Sequence, residues 1–532
     1  MPRSPVFPGV HIKEISTGVR TITGVATSIA AFIGRAKRGP IDADEASPVT
    51  INSFAGFERI FGGLWADSTL GFAVRDFFLN GGMQAVIVRL YRDTIGTKGR
   101  ARLNAHDLIL EAASPGGWGN QLRVRIDHHT PSLANDSPDP DTFNLSVRDG
   151  TTGEVEIFKN LSVKAKHDRR ADNILKTNSK LVRAVGPLPA VRPKKHAEPQ
   201  AGQNVWNDNA VATCGKVDAA GKASDGDSLQ EADFTGAGKE PSSQGLFALE
   251  KVDLFNLLVI PGYKNTGFGF DIDEGLVSSA AKYCETRRAM FLIDPPASWR
   301  TKEQAKAGIA AGVGTTSANA ALFFPRLRQP NPERHNQMEE FAPGGAVAGV
   351  FARTDSTRGI WKAPAGLEAT LIGVPQLALL LTDAETGELN ALAVNCLRAM
   401  PGAGSVVWGS RTLQGADRLA SQWKYIPVRR LALFLEESLL RGTRWVAFEP
   451  NDEPLWAQVR LNVGAFMNDL FRQGAFQGTT PKEAYFVKCD NTTTTQNDID
   501  LGLVNIIVGF APLKRAEFVV IKLQQRAGQT QR

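Results

Sequence analysis

Three aspartates are the first candidates for ligand or catalytic chemistry. Asp271, Asp273 and Asp294 lie at or beyond the carboxyl ends of predicted strands, where open α/β sheets bind ligands. Carboxylates at such a place could hold a metal ion or orient a phosphate group. Neither strand is followed by Gly-x-Gly-x-x-Gly or by Gly-Lys-Ser/Thr, the motifs that cradle phosphates. We therefore favour aspartates that cap helices and shape turns.

Other short motifs match catalytic or ligand-binding signatures only in part. The glycine-rich run at 308–314 lacks the lysine and the preceding strand of a phosphate loop, so a turn or a small-residue helix fits it better. Ser405 and Ser410 each follow a glycine but do not complete the Gly-x-Ser-x-Gly of a nucleophile elbow. His128 and His129 are adjacent without a clear set of partner ligands, and we expect both to be solvated.

The cysteines form neither a metal pattern nor a disulfide pattern. They lie far apart, without a Cys-x-x-Cys pair or a histidine at zinc-ligand spacing, at Cys214, Cys284, Cys396 and Cys489. We expect reduced, buried thiols. Together these motifs favour a protein that is not an enzyme and that has no catalytic, cofactor-binding or metal-binding residues.

Aromatic and basic residues are concentrated between 406 and 460. Four tryptophans could form a stacking platform for carbohydrate or nucleic acid, but their apolar neighbours favour core and interface anchors: Trp408, Trp423, Trp445 and Trp456. Arg411, Arg429 and Arg430 each follow a tryptophan or tyrosine segment near a predicted strand end. A guanidinium there can make bidentate ties to a carboxylate. A solvated charged face is the alternative.

The predicted secondary-structure elements begin, near the N-terminus, with a small α/β unit. An apolar run at 24–34 predicts a central strand, the spacing predicts helices at 53–61 and 70–79, and 85–90 predicts another strand. Alternating segments separated by turn residues predict an antiparallel β-rich region over about 101–185. Residues 187–239 are poor in large apolar side chains and indicate an irregular surface excursion.

The second half of the chain is again predicted to alternate between strands and helices. A strand after Asp253, a helix over about 274–287 and a strand from Ala289 form a strand–helix–strand unit typical of parallel sheets. Small residues at 345–349 favour close helix or backbone packing. From Tyr425 the pattern predicts a strand, a helix over 431–440, a helix from about 456 to 473, and two or three strands ending at Leu523. The predicted fold class is a multidomain α/β and α+β protein.

Composition sets limits on the class of protein. At 532 residues the chain should divide into three or four compact units, and 42% apolar with 22% charged residues is ordinary for a globular chain. The net charge of +6 is a small excess of 61 basic over 55 acidic residues, and no basic face or docking motif points to nucleic acid. Neither a signal-peptide core nor about 18 uninterrupted apolar residues is evident, so we expect a protein of the cytoplasm without membrane insertion.

Several motifs, in a fixed order, resemble the tail sheath proteins of contractile phages and of related contractile injection systems. The resemblance is carried by an opening Pro-Gly-Val-His-Ile-Lys-Glu-Ile at 8–15, Val-Trp-Gly-Ser-Arg-Thr-Leu at 407–413, Trp-Lys-Tyr-Ile-Pro-Val-Arg-Arg at 423–430, Phe-Glu-Pro-Asn at 448–451, Leu-Trp at 455–456 and Ala-Pro-Leu-Lys-Arg-Ala-Glu-Phe-Val-Val at 511–520. Each motif is weak alone, and their shared order makes the assignment.

The resemblance implies a structural protein that assembles with copies of itself. Its subunits would form hexameric rings stacked as a helical cylinder around an inner tube protein, with baseplate and terminal cap proteins at the ends. Contraction of the cylinder would drive the tube through a target envelope without nucleotide. The finished particle, a phage tail or an injection system, would be released from the producing bacterium or anchored in it.

The resemblance also implies a domain plan and interface residues. The expected segments are an N-terminal linking arm at 1–23, sheath core at 24–100, an inserted β-rich outer domain at 101–245 with a variable loop at 186–240, an α/β middle domain at 246–375, C-terminal sheath core at 376–514 and a linking strand and tail at 515–532. The arms would add strands to sheets of neighbouring subunits through Val10, Ile12, Ile15, Glu517, Phe518, Val519, Val520 and Ile521. The candidate contacts with the tube or another subunit are Arg411, Lys424, Arg429 and Arg430. An α/β ligand-binding or enzymatic tail component, built on the unit at 253–295, is the alternative function.

Overall fold

The computed structural model describes residues 21–93, 99–131, 139–207 and 212–513. The strands, in chain order, are β1 (Ala30–Gly34), β2 (Val49–Ile51), β3 (Ala85–Arg89), β4 (Arg102–Ala105), β5 (Leu108–Ala112), β6 (Leu122–Asp127), β7 (Thr142–Asp149), β8 (Val155–Ser162), β9 (Val182–Ala184), β10 (Gly215–Lys216), β11 (Leu257–Val259), β12 (Lys264–Asn265), β13 (Phe270–Asp271), β14 (Met290–Ile293), β15 (Ala320–Phe324), β16 (Leu327–Asn331), β17 (Gln337–Phe341), β18 (Gln376–Leu377), β19 (Val394–Met400), β20 (Gly404–Val407), β21 (Tyr485–Lys488) and β22 (Ile507–Phe510). The helices are α1 (Phe54–Phe61), α2 (Leu70–Leu79), α3 (Ala171–Asn178), α4 (Glu231–Thr235), α5 (Glu274–Thr286), α6 (Lys302–Ala311), α7 (Gly344–Arg358), α8 (Asp383–Ala391), α9 (Ile426–Gly442), α10 (Glu453–Arg472), α11 (Pro481–Ala484) and α12 (Gln496–Asp500).

A mixed sheet of eight strands, in the order β2-β3-β1-β11-β14-β15-β19-β20, is the largest element of the fold. Neighbouring strands from β3 to β19 are all parallel, whereas β2 and β20 at the two edges run antiparallel to their neighbours. Continuous apolar runs such as β1, which is buried along its whole length, are what a parallel sheet covered on both faces requires. The predicted α/β and α+β class is confirmed, and its main sheet is mixed.

The two faces of this sheet belong to two separate hydrophobic clusters. Along β1, Ala30 and Phe32 pack into one cluster, while Ala31 and Ile33 pack into the other. This alternation follows from the period of two residues along a strand. Helices α2 and α7 contribute to the first cluster and α5 to the second, so each face is covered by helices.

Helices α2 and α7 approach each other closely because α7 carries glycines on the facing side. A Cβ atom added at Gly345 would lie 2.2 Å from the carbonyl oxygen of Ala73, and one at Gly349 would lie 2.5 Å from that of Phe77. Both distances are shorter than a non-bonded contact allows. The close packing expected from the small residues at 345–349 is therefore present, with α2 as the partner.

The region between β3 and β11 forms smaller antiparallel sheets. Strands β4, β5 and β9 make one sheet, and β10, β6, β7 and β8 make another, with an apolar cluster of their own. The excursion expected at 187–239 is less irregular than its composition indicates. It supplies β10 and α4, and the His196 amide donates a hydrogen bond to the Ile126 carbonyl at 2.9 Å. Single polar contacts of this kind leave no trace in composition.

The chain divides into two compact units, one of which combines both ends of the sequence. That unit contains Met1–Val25, Gly359–Ala363 and Arg430–Arg532, and the other contains the remaining residues. Within the first unit, Ile22 lies so close to α9 that a Cβ added at Gly442 would be 2.6 Å from its side chain. The cluster around Ile22, α10 and the β21–β22 sheet forms its core.

The sheet joins segments that the sequence analysis assigns to separate domains. Strands of the eight-stranded sheet come from 24–100, 246–375 and 376–514, while residues from 430 onward belong to the other compact unit. Local patterns do not show which distant strands pair. The strand predicted from Tyr425 is wrong, since α9 begins at Ile426. Pro427 lies in its first turn, where proline is tolerated because those amides need no helical partner.

Candidate assembly site

Arg411 is a buried link within its own compact unit. Its side chain is 1% exposed, and its Nη1 donates to the carbonyl oxygens of Asn390 (2.8 Å) and Gly415 (3.1 Å) and to Asp417 Oδ1 (2.9 Å). Lys424 Nζ reaches the same carboxylate oxygen at 2.7 Å. The hydrogen bond from Lys424, with the charge of Arg411, lowers the pKa of Asp417. One carboxylate thus joins two of the four basic residues singled out in the sequence.

Arg429 and Arg430 are neighbours in α9 but have different surroundings. The Arg429 guanidinium lies 4.9 Å from the ring centre of Trp423, and its Nε donates to Asn319 Oδ1 at 2.8 Å. Arg430 is 3% exposed and belongs to the other compact unit. Lys424 and Arg429 therefore keep the most accessible surface among the four candidate contacts. Their role toward another subunit or a tube stays a prediction.

Strands β21 and β22 form a two-stranded antiparallel sheet in the unit that holds both chain ends. Val487 pairs with Val508, and both pack on the apolar cluster of this unit. Phe486 and Ile507 are 53% and 48% exposed. Among the residues that the structure describes, no third strand joins this sheet. A two-stranded sheet is weak by itself, and its outer edges offer backbone groups for further strands.

The residues predicted to form the intersubunit arms lie outside the described part of the chain. These are Val10, Ile12 and Ile15 at the start, and Glu517, Phe518, Val519, Val520 and Ile521 near the end. Their contribution to assembly is therefore taken up below as a proposal.

A tryptophan and an asparagine, which no sequence argument paired, fix the turn of the Phe-Glu-Pro-Asn motif. Trp456 is 6% exposed, and its Nε1 donates to Asn451 Oδ1 at 2.9 Å. Asn451 Nδ2 in turn donates to the Leu503 carbonyl oxygen at 2.9 Å. The sequence signal for the bond between Trp456 and Asn451 is their spacing, since the two residues lie five positions apart across the start of α10.

The three aspartates considered first as ligand residues hold their own chain together. Asp271 Oδ1 accepts from the Ala297 amide at 2.7 Å, and Asp273 accepts from Tyr263 and Lys264. Asp294 Oδ1 accepts from the Gly344 amide at 2.7 Å, at the start of α7. Burial raises the pKa of Asp294 to about 6. Asp294 thus binds the first amide of α7 as a capping residue would, whereas Asp273 precedes α5 without a side-chain cap hydrogen bond.

Asp271 and Asp294 border a small cavity of about 140 Å³ whose other walls are mainly apolar. Nearby, Gly308 is needed for packing, because a Cβ there would lie 2.3 Å from the ring of Trp299. Within the described ranges, no group of three or more His, Cys, Asp or Glu side chains is placed to hold a metal ion. None of the helices in those ranges is both long and apolar enough to cross a membrane.

Two family models match consecutive parts of this chain. The phage tail sheath protein central domain matches residues 236–413, and the phage tail sheath C-terminal domain matches residues 420–526. The tail sheath protein of Enterobacteria phage T4 is 29% identical over 170 residues, which cover 32% of this chain and 24% of that protein. A putative prophage major tail sheath protein of Pseudomonas aeruginosa is 26% identical over 221 residues, which cover 41% of this chain and 53% of that protein. The chain thus spans about a quarter to a half of the length of these relatives.

Solved sheath structures share the fold over nearly the whole chain. The PVC sheath complex of an extracellular contractile injection system, in its contracted state, has a TM-score of 0.56 at 21% identity and covers 99% of both chains. The sheath tail protein of Listeria innocua has a TM-score of 0.57 at 13% identity, covering 93% of this chain and 97% of that one. The fold is therefore that of contractile sheath proteins. With both sheath domain models matched in order, the chain belongs to the phage tail sheath protein family.

Proposed function

We propose that this protein is the repeating subunit of a contractile sheath. Copies would stack as hexameric rings in a helical cylinder around an inner tube protein, closed by baseplate and terminal cap proteins. The family match and the sheath fold support this proposal. The protein acts through assembly and movement, with no catalytic step and no cofactor of its own.

The open β21–β22 sheet is the observation that carries the proposal. It lies in the compact unit that holds both the described start of the chain, up to Val25, and its described end at Leu513. A copy could give its terminal segments as strands and receive those of its neighbours along the edges of this sheet. Strand addition of this kind supplies main-chain hydrogen bonds without requiring a large preformed pocket.

Contraction would follow from the difference in free energy between two arrangements of linked subunits. Arms that join subunits by strand addition keep the cylinder continuous while each compact subunit rotates. The extended cylinder would be held by its tube and baseplate contacts and would relax when those contacts are released. Lys424 and Arg429, which retain accessible surface, are the basic residues we propose for contacts outside the subunit.

Truncation of either arm tests the assembly model. We expect deletion of residues 1–17 or of residues 515–532 to leave a folded subunit that does not polymerise, because the donated strand is lost. Circular dichroism and size-exclusion chromatography report folding, and electron microscopy reports cylinders.

Deletion of residues 527–532 is the matched control, since it keeps the predicted linking strand and should leave assembly unchanged. Cylinders of normal width from either arm deletion would show that the arms do not link the subunits.

A further inference from the structure

Phe448 is an aromatic residue that gains no evident packing within its own chain. Its relative exposure is 106%, the largest among the exposed apolar residues of the described chain. Its backbone has φ of +73°, in the left-handed region. A side chain in that region crowds the following carbonyl, so glycine or asparagine usually occupies it and a bulky residue is an outlier.

The turn that carries Phe448 is held in place by defined contacts. The Glu449 amide donates to the Val446 carbonyl at 3.2 Å, and the Asp452 amide donates to the Pro450 carbonyl at 3.1 Å. Asn451 joins the turn to buried Trp456 on one side and to Leu503 on the other, both at 2.9 Å. The unfavourable backbone of Phe448 therefore belongs to a fixed turn and keeps the ring in solvent.

The two segments joined at this turn carry both exposed leucines and carboxylates. Leu501 and Leu503, on the segment that Asn451 contacts, are 65% and 50% exposed. The sequences 448–453 and 495–503 carry five carboxylates and no lysine or arginine, and Arg460 pairs with one of the five, Glu453, at 2.6 Å. The whole chain has a net charge of +6, so this acidic surface is opposite in sign to the rest of the protein. Opposite net charges favour contact between these segments and another copy of the chain.

We propose that Phe448 anchors a contact with a second copy of this chain, inserting its ring into an apolar recess with a basic margin. The inference rests on the proposed function, because it names one of the contacts that join sheath subunits. Strained residues and exposed aromatic anchors are both typical of binding surfaces, and Phe448 combines the two. The net charge of the chain favours a second copy as the occupant.

Replacement of Phe448 by glycine separates a binding role from a structural one. Because glycine relieves the left-handed backbone, Phe448→Gly should keep or raise the melting temperature of the dispersed subunit. Loss of the ring should raise the protein concentration needed for cylinder formation by about tenfold or more, as removal of an interface anchor does. Unchanged assembly, whatever the melting temperature, would overturn the proposal.

Phe268→Asn is the matched control, since Phe268 is also an exposed phenylalanine, at 58%, but lies in the other compact unit. It should leave the concentration for assembly unchanged. If the unsubstituted protein formed no cylinders even with an inner tube protein, the proposed function itself would fail. Cylinders of Phe448→Gly at the normal concentration would refute only the role of Phe448.

A photo-crosslinking amino acid at position 448 identifies the partner directly. In cylinders assembled on an inner tube protein, we expect a covalent dimer of the sheath chain, with the crosslinked peptide mapped by mass spectrometry. A crosslink to the tube protein, or none in intact cylinders, would contradict a contact between two sheath copies.

Discussion

Buried arginine side chains hold loops of this fold together by binding backbone carbonyl oxygens. Arg89 is 2% exposed and donates to the carbonyl oxygens of Ala36, Gly39 and Pro115 at 2.6 to 2.9 Å. Burial lowers its pKa to about 9. It therefore fixes the loop after β1 by donating hydrogen bonds to backbone carbonyl oxygens. The same use of a guanidinium recurs at Arg411.

The stability of the protein should depend on pH through His196. This residue is 4% exposed, and its Nδ1 accepts a hydrogen bond from the Ile126 amide at 3.0 Å, which requires an unprotonated nitrogen. Burial, with the neighbouring His106 and Arg125, lowers its pKa from 6.5 to about 4. The neutral ring therefore stabilises the fold above pH 6.5, and this contribution is lost as pH falls toward about 4.

Urea unfolding of the dispersed subunit between pH 7 and pH 4 measures this effect. We expect the midpoint to fall on acidification, and His196→Asn, which keeps an acceptor but does not titrate, should flatten the decline. His129→Asn is the control, because the His129 side chain is 78% exposed. An identical decline in all three proteins would show that other groups set the pH dependence.

At the residue scale, sequence reasoning selects individual positions but does not identify the groups that surround them. Arg411 and Arg429 stand beside aromatic segments in the sequence, but one acceptor of each, Asn390 and Asn319, lies 21 and 110 residues away. The Phe-Glu-Pro-Asn motif carries part of the resemblance to sheath proteins, while the positive φ of Phe448 is visible only in the structure. Partners that depend on tertiary contact are not encoded in local spacing.

Secondary-structure elements are largely predictable where the apolar residues follow one regular spacing. The helix expected at 70–79 coincides with α2, and the one expected at 53–61 corresponds to α1 with Ser53 as its N-cap, accepting from the Gly56 amide at 3.1 Å. Apolar spacing and a capping serine suffice for such helices. At α9, the β-branched Ile426 and Val428 around Pro427 favoured a strand, and helix packing overrode that preference.

The packing of α2 against α7 gives a prediction for the stability of these elements. Gly345→Ala should lower the free energy of unfolding by roughly 1–3 kcal/mol, because its Cβ would meet the Ala73 carbonyl at 2.2 Å. Gly387 is also helical, in α8, but has nothing within 4 Å of an added Cβ. Gly387→Ala should therefore raise that free energy by about 0.5–1 kcal/mol.

Denaturant unfolding of the two alanine variants beside the parent chain provides the comparison. The change in the free energy of unfolding should have opposite signs for the two variants, although both replace a helical glycine by alanine. If Gly345→Ala were neutral or stabilising, α2 and α7 would not approach as closely as the structure shows.

At the scale of the whole molecule, segments that are far apart in the sequence lie side by side in the structure. The sheet places β1 beside β11, which is more than 200 residues later, and puts the inserted antiparallel sheets in the intervening sequence. Both chain ends belong to one compact unit. Composition and periodicity identified the α/β class but could not supply these pairings. The order of short motifs along the chain, matched to a family, supplied the function.

Electron microscopy of the full-length protein tests the central claim that this chain is a self-assembling sheath subunit. Negatively stained samples would be compared at increasing protein concentration, alone and after co-expression with an inner tube protein. The account predicts hollow, striated cylinders of uniform width in at least the co-expressed sample. Dispersed particles at every concentration in both samples would contradict it.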